Sequence, residues 1–482
     1  MTSGNYSLAL AIGGAAGQGI ATPGNILARL FVRRGLHLYA YNAYQSIIRG
    51  GHIFLTVRIA DHEIHNHGDK LDLLLCLNQD TMNRHLNLMG PGTRVVFNSD
   101  AVKPGHPVDG AHLCPMPVSK LTSGSRMVQN TVALGVVTSL FGLEFEILEE
   151  ALKLQFQRKG ETVVDQNVSA ARAGFDHADA NFEPFPDPLP KSPEPLAVWT
   201  GNDALAMGGA AAGVKFYCAY PMSPSTGVLH WMAKNARELG IMVRQIEDEI
   251  GVANMAIGAA HAGCRSMCAT SGGGFALMTE AIGMAGMMEI PVVFINVQRA
   301  GPSTGVPTKT EQGDLWQALG ASQGDFQRLI VAPTDALDAY NTIPELFNLL
   351  DKYQCPGLVL SDLLISEGTF SVSPQDIDMQ PQIDRGQLIT TPSKTDGYLR
   401  YKDTESGISP RAVPGLEGYV HVVATDEHDE AGVLISDEFT NPHKRRKMVE
   451  KRARKFETLL DDIAPPSLEG PEEAEVTLVG WG

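Results

Sequence analysis

A chain of 482 residues is too long for one compact core, so about three domains is the starting expectation. With 43% apolar and 19% charged residues it can bury large cores, and its formal charge of −17 disfavours nonspecific nucleic-acid binding, which needs a basic surface. It has no run of about 18 consecutive apolar residues, and Met1 to Leu8 lacks the basic region and apolar stretch of a secretory signal; we expect no membrane span and a cytoplasmic protein.

The first segment opens on the apolar run Leu8 to Ile12, passes through Gly13-Gly14-Ala15-Ala16-Gly17-Gln18-Gly19, and continues in a helical pattern to about Arg34. Strand, glycine turn and helix in that order form a unit that can hold an anion at the helix N-terminus. The spacing is not Gly-x-Gly-x-x-Gly, and the next strand, about Leu36–Tyr41, ends in Asn42 without an acidic ribose ligand. This disfavours a nicotinamide dinucleotide and leaves a phosphate or coenzyme A contact, or simply a tight turn. Strands expected at His52–Ile59, Leu71–Leu77 and Thr93–Phe97 and a helix near Asn130–Phe141 complete an α/β domain over 1–175. His62, His65 and His67 could ligate a metal by spacing alone, but histidines in a loop between strands are common, and we assign no metal ligand in this chain. Pro184, Pro186, Pro188, Pro190, Pro193 and Pro195 keep the next stretch extended, so 176–198 reads as a linker or strap.

From Asn202 strands alternate with helices: a helix at Asp203–Ala212, strands at Val214–Ala219, Ile241–Ile246, Arg265–Ala269, Pro291–Val297 and Gly357–Ser361, and helices from Glu249 to Ala262 and Phe275 to Met288. This pattern predicts a doubly wound parallel sheet over 199–365. Met278, Met284, Met287 and Met288 on the last helix read as core packing by default. Beyond it, 366–474 reads as a connecting segment rich in charge, Pro and Gly, with one charged helix at about His443–Leu460. The basic run in that helix carries interleaved acids and reads as a solvated face or subunit contact. The stretch 475–482 looks like the first strand of a further α/β domain.

Ligands of open parallel sheets bind at the carboxyl ends of the strands. Four segments fall there: Tyr220-Pro221-Met222-Ser223-Pro224-Ser225-Thr226, Glu247-Asp248-Glu249, Thr270-Ser271-Gly272-Gly273-Gly274, and Gln298-Arg299-Ala300-Gly301-Pro302-Ser303-Thr304-Gly305. Any one of them could be an ordinary polar loop. Together they offer hydroxyls, a guanidinium, carboxylates and glycines at one sheet edge.

These residues also carry a family resemblance. YPMSPST resembles the YPITPST signature of the α subunits of 2-oxoacid:ferredoxin oxidoreductases. IEDEIGVANMAIGAAHAG, TSGGGFALMTEAIGMAGMMEIPVVFINVQRAGPSTGVPT and GISPRAVPG…DEHDEAG resemble that family's later motifs, in the same order. GGAAGQGI and Ser46-Ile47-Ile48-Arg49-Gly50-Gly51 are similar to the γ domain that many members carry fused ahead of α. The fit is best to the fused, 2-oxoglutarate type.

The resemblance implies a γ-type α/β domain followed by a thiamine diphosphate pyrimidine-binding domain. It implies oxidative decarboxylation of a 2-oxoacid, with coenzyme A taking the acyl group and ferredoxin the electrons. Glu249 would hydrogen-bond the pyrimidine nitrogen remote from the thiazolium, while Glu247 and Asp248 read as solvent-facing or N-cap residues. The competing reading is that Glu249 only caps its helix. Tyr220, Pro221, Thr270, Ser271 and Gly272 would lie beside the cofactor. Ser223, in place of a family threonine, and Thr226 would meet the substrate, and Arg299 its carboxylate, unless Arg299 serves a structural ion pair. Gly273 stands where relatives usually have proline. The chain has no Gly-Asp-Gly with a distant Asn and no Cys-x-x-Cys among its six scattered cysteines. The resemblance implies that magnesium and a [4Fe–4S] cluster belong on a separate β subunit, in a hetero-oligomer. The rival readings are the same chemistry on pyruvate or branched 2-oxoacids, and a noncatalytic assembly or sensing subunit of the same fold.

Overall fold

A computed structural model describes residues 6–45, 51–105, 110–122, 128–393, 397–435, 442–466, 468, 470–471 and 473–482. It forms two compact units, Met1–Thr200 with Glu367–Ile377, and Gly201–Ser366 with Asp378–Gly482. The γ-like run at Ser46–Gly50 lies outside the described residues.

The first unit is built on a mixed sheet. Strand β1 (Ser7–Ala15) runs parallel to β4 (Leu73–Cys76) and antiparallel to β3 (His52–Ala60), which pairs in turn with β2 (His37–Ala43). Strands β5 (Arg94–Asn98) and β6 (His112–Met116) extend the parallel side. Leu8, Leu10 and Ile12 of β1 enter one core and Ala9 and Ala11 another, as the alternation of side chains along a central strand requires. Over the larger core, helix α1 (Ala21–Arg33) is joined by α2 (Gln129–Leu140) and α3 (Glu161–Asn181). The last two approach closely: a Cβ at Gly135 would lie 1.9 Å from the Ala171 carbonyl oxygen, and one at Gly174 would lie 2.1 Å from that of Val132. Side chains larger than glycine would force these backbones apart.

Two expected boundaries are corrected here. The 176–198 stretch is no free linker: it begins inside α3, and its proline-rich part is bonded onto the unit. Arg34 donates to the Leu189 and Pro190 carbonyls, both at 2.9 Å, and Arg94 to those of Glu183 and Pro184. The strap leads into β7 (Ala197–Thr200). A later strand, Thr369–Val372, inserts antiparallel between β2 and β7, so part of the expected 366–474 connection belongs to this first sheet.

The second unit contains β8 (Val214–Ala219), β9 (Met242–Gln245), β10 (Arg265–Thr270), β11 (Val292–Gln298), β12 (Leu329–Val331) and β13 (Pro356–Asp362). All are parallel, in the order β12-β13-β11-β10-β8-β9. After β8 the chain turns outward to β9, then crosses back to β10. That reversal opens a crevice beyond the carboxyl ends of β8 and β10. Helices α4 (Glu249–His261) and α5 (Gly272–Met287) share one apolar core that takes Val252, Ala256, Phe275 and Met278. Gly208, in the helix Gly201–Ala211, lets that helix pack against Ala336–Tyr353: a Cβ there would lie 2.5 Å from the Tyr340 carbonyl oxygen.

The rest of the expected connecting segment is fastened to this second unit by buried charge. Asp351 is gripped by Arg265 (2.9 Å), Arg385 (2.8 Å) and Arg411 (3.4 Å). Lys451 and Lys455 reach the buried Glu289 at 2.8 and 3.1 Å. Burial alone would push the Glu289 carboxyl up, but Lys455 and Lys451 outweigh it and hold it well below the usual carboxylate range. The basic helix is thus no purely solvated face. It runs Pro442–Arg454, with a separate turn at Leu459–Asp462, and buries the inner side of its charge. The stretch 475–482 forms no strand among the described residues; Val476, Leu478 and Val479 are exposed.

Candidate active site

The crevice collects the four polar segments. The Tyr220–Thr226 loop leaves β8 and bends tightly, with Ser225 N donating to the Met222 carbonyl at 2.9 Å. The hydroxyls of Ser225 and Thr226 donate to the same carbonyl at 2.8 and 3.3 Å. Tyr220 and Pro221 lie exposed at its start, and Ser223 is half-buried in its middle.

Helix α4 is capped by Asp248, whose carboxylate accepts from Gly251 N at 2.6 Å. Glu249 is therefore freed from capping. Its side chain turns inward, is only 4% exposed, and leaves Oε1 without a partner among the described residues. It rests on the first turn of α5, where a Cβ at Gly274 would fall 2.8 Å from Glu249 Oε1 and 2.1 Å from Thr270 Oγ1. Only glycine leaves that space. Thr270 and Ser271 are buried, and Ser271 Oγ also lacks a partner.

Arg299 follows β11 and reaches across the crevice, its Nη1 donating to the Ser223 carbonyl at 2.6 Å. Its Nε is buried without a partner. Burial alone lowers the pKa of this guanidinium, and no ion pair with Arg299 is found among the described residues. A half-buried cation without a counter-ion is a site for an anion. The expected alternative, a structural ion pair, is replaced by a hydrogen bond to the neighbouring loop.

Met222, Gly272, Gly273 and Arg299 border a cavity of about 650 Å³, with Ser303, Thr304 and Asp314 on its other side. Pro221 and Thr226 instead line an open groove of about 810 Å³ beside β9. Glu249, Thr270 and Ser271 line neither of these two. The structure also adds Asn296 and Asp314, which the sequence segments did not single out, and gives Gln298 a partner. Asn296 Nδ2 donates to Asp314 Oδ2 at 2.9 Å, and Asp314 N donates to Gln298 Oε1 at 3.0 Å, pinning the far end of the loop that Arg299 begins. A signal was present: two amide side chains, two residues apart, at the end of an otherwise apolar strand.

The histidines of the 61–68 loop have local partners: His62 bonds Asp61 at 2.8 Å, and His67 stacks on Tyr39. All six cysteines are free, and five are buried.

Comparison with known proteins agrees over both units. Residues 207–451 match the family model described as pyruvate flavodoxin/ferredoxin oxidoreductase, thiamine diP-bdg, and residues 9–177 match pyruvate ferredoxin/flavodoxin oxidoreductase. The chain is 31% identical to 2-oxoacid:ferredoxin oxidoreductase 2, subunit alpha, of Aeropyrum pernix, over 98% of this chain and 83% of that one. It is 32% identical to 2-oxoglutarate oxidoreductase subunit KorA of Mycobacterium tuberculosis, over 88% of this chain and 69% of the relative. The solved 2-oxoglutarate:ferredoxin oxidoreductase of Magnetococcus marinus, with 2-oxoglutarate, coenzyme A and succinyl-CoA bound, superposes with a TM-score of 0.89 at 33% identity, covering 97% of this chain and 81% of that one. With both units matched and the relatives aligned across nearly its whole length, the chain belongs to the 2-oxoacid:ferredoxin oxidoreductase family, among its α subunits.

Proposed function

We propose that this chain provides the aminopyrimidine and 2-oxoacid side of a thiamine diphosphate site that oxidatively decarboxylates 2-oxoglutarate with coenzyme A and ferredoxin. The observation that carries the reading is Glu249: a buried carboxylate with an unpartnered oxygen, set against the glycine cradle at Gly274. An apolar pocket that keeps such an oxygen unpaired is costly unless a ligand N–H meets it. A pyrimidine nitrogen that shares a proton with a carboxylate fits that need.

When bound, thiamine diphosphate supplies the carbon nucleophile and electron sink for decarboxylation. The chain's own residues position that chemistry. Glu249 would share a proton between its Oε1 and the pyrimidine nitrogen. Tyr220, Pro221, Thr270, Ser271 and Gly272 would lie beside the cofactor. Arg299, without an acidic partner, takes the carboxylate next to the 2-oxo group, while Ser223 offers a hydroxyl and Thr226 borders the substrate's approach. The preference for 2-oxoglutarate is supported by the KorA relative and by the ligands of the Magnetococcus marinus enzyme. In the first unit, a cavity of about 560 Å³ lined by Gly17, Gln18, Gly19, Asn130 and Lys159 is suited to part of coenzyme A.

Diphosphate, magnesium and a [4Fe–4S] cluster are assigned to a β subunit in a hetero-oligomer. Exposed apolar residues near the crevice, Ile250, Leu277 and Trp316, supply a surface for it. No helix among the described residues is long and apolar enough to cross a membrane, and we place the assembly in the cytoplasm. The test is co-expression with the β subunit, followed by coenzyme A-dependent dye reduction over a panel of 2-oxoacids. Fastest turnover with 2-oxoglutarate is expected; no turnover with any member overturns the reading.

A further inference from the structure

Three successive carbonyls in the Tyr220–Thr226 loop are each taken by a defined donor. That of Met222 is closed within the loop, as described above. That of Ser223 accepts from Arg299 at 2.6 Å. That of Pro224 accepts from the side chain of Asn202 Nδ2, at 2.9 Å. Asn202 stands outside every motif singled out in the sequence. It is the second residue of the helix Gly201–Ala211, 4% exposed, and its Oδ1 has no partner among the described residues.

The neighbourhood is shaped around this amide. A Cβ at Gly227 would lie 2.7 Å from both Asn202 Cβ and Nδ2, so the helix that follows the loop carries a glycine where the amide passes. A Cβ at Gly201 would lie 2.3 Å from the Ile365 carbonyl oxygen, so the start of the Asn202 helix is itself seated against its neighbour. Adjacent peptide groups are thus held from two different elements: Ser223 to Pro224 by Arg299, and Pro224 to Ser225 by Asn202. The Met222 carbonyl is closed within the loop and the Ser223 carbonyl is held by Arg299, so both planes that flank Ser223 are fixed, and Asn202 anchors the next plane along. Removing Arg299 would also remove a substrate contact. Removing the Asn202 donor would loosen the Pro224–Ser225 peptide, next to Ser223, and leave the Arg299 guanidinium in place.

We infer that Asn202 is a positioning residue: by holding the Pro224 carbonyl it keeps the Ser223 hydroxyl directed at the 2-oxoacid, without touching the substrate itself. This rests on the role proposed for Ser223. Displacing a positioning hydroxyl by about an ångström can cost up to about a hundredfold, and a loop still held by Arg299 should lose less, about tenfold.

The test is a double-mutant cycle in the αβ assembly. Asn202→Asp keeps the volume and exchanges the donating amide for a carboxylate. It is expected to raise the KM for the 2-oxoacid about tenfold while thiamine diphosphate affinity and the KM for coenzyme A stay within about twofold; in a Ser223→Ala background it should add less than about twofold, because coupled residues are non-additive. Amide hydrogen exchange across 220–227 should quicken about tenfold in Asn202→Asp, with 249–261 unchanged. Multiplicative effects in the cycle, a parallel loss of thiamine diphosphate affinity, or unchanged exchange would overturn the inference. If Asn202→Asp does not assemble, Asn202→Ser, which retains a shorter donor, enters the same cycle under the same criteria. An assembly inactive on every 2-oxoacid would count against the proposed function instead, and the exchange measurement would still decide whether Asn202 holds the loop.

Discussion

The two cavities at strand ends in this chain differ in how their polar groups are satisfied. Beside the glycine turn of the first unit, the donors and acceptors bond one another. Asn130 Nδ2 donates to the Gln18 carbonyl at 2.5 Å, Gln18 Oε1 accepts from Ala15 N at 2.6 Å, and Thr131 Oγ1 donates to Asn167 Oδ1 at 2.7 Å. At the switch point of the second unit, Glu249 Oε1, Ser271 Oγ, Asn296 Oδ1 and Arg299 Nε are buried without partners among the described residues. An unpaired buried polar atom costs about 1–3 kcal/mol, which a ligand that meets these groups would offset. The first cavity can hold a ligand by shape and a few exchanged hydrogen bonds. The second is preorganised for chemistry.

The contrast can be broken by substitution, and the largest effect is expected at Glu249. Glu249→Gln keeps the volume but cannot share a proton as a carboxylate does, so kcat of the assembled enzyme should fall at least about a hundredfold. Steady-state kinetics at saturating thiamine diphosphate measures this, and unchanged kcat would return Glu249 to a packing role. Arg299→Lys keeps the charge but replaces the fork that can serve the Ser223 carbonyl and a carboxylate together. A loss of about ten- to a hundredfold in kcat/KM for the 2-oxoacid is expected, consistent with one charged hydrogen bond of about 1.5–3 kcal/mol. An equal loss in the KM for coenzyme A would show that the loop, and not the substrate, depends on it.

The smallest change is expected in the first unit. Lys159 lines the cavity but is exposed, so Lys159→Ala should raise the KM for coenzyme A by no more than about fivefold, fading as salt screens the contact. Titration at low and high salt distinguishes this from a loss of fold. An effect larger than that of Arg299→Lys would reverse the comparison between the two cavities.

Much of the architecture is legible in the sequence, because strand and helix periods are local signals. The Val214–Ala219 strand agrees to the residue, and Glu249 falls at the first turn of its helix, as the motif implied. The start of α5 was set three residues too late, at Phe275, because Gly272-Gly273-Gly274 reads as a loop. The glycines open the helix, and Gly274 leaves room for Glu249 and Thr270. The charged helix reads as a solvated face or subunit contact because the carboxylate that draws Lys451 and Lys455 inward belongs to Glu289, distant in sequence. The strand Thr369–Val372 was invisible for the same reason: its partners lie in β2 and β7, and pairing across such a separation leaves no local trace.

The sequence by itself determined the alternation of strands and helices, the strand ends at which polar residues gather, and the chemical groups offered there. Periodicity and residue type carry that information directly. Only the tertiary structure decided that Asp248 caps the helix and leaves Glu249 buried, that Arg299 grips the neighbouring loop, and that Asn202 holds the next peptide group along. These depend on which atoms meet across the crevice. A buried carboxylate or amide acquires its role from the one partner it finds or lacks, and that partner is set by packing between segments far apart in the chain.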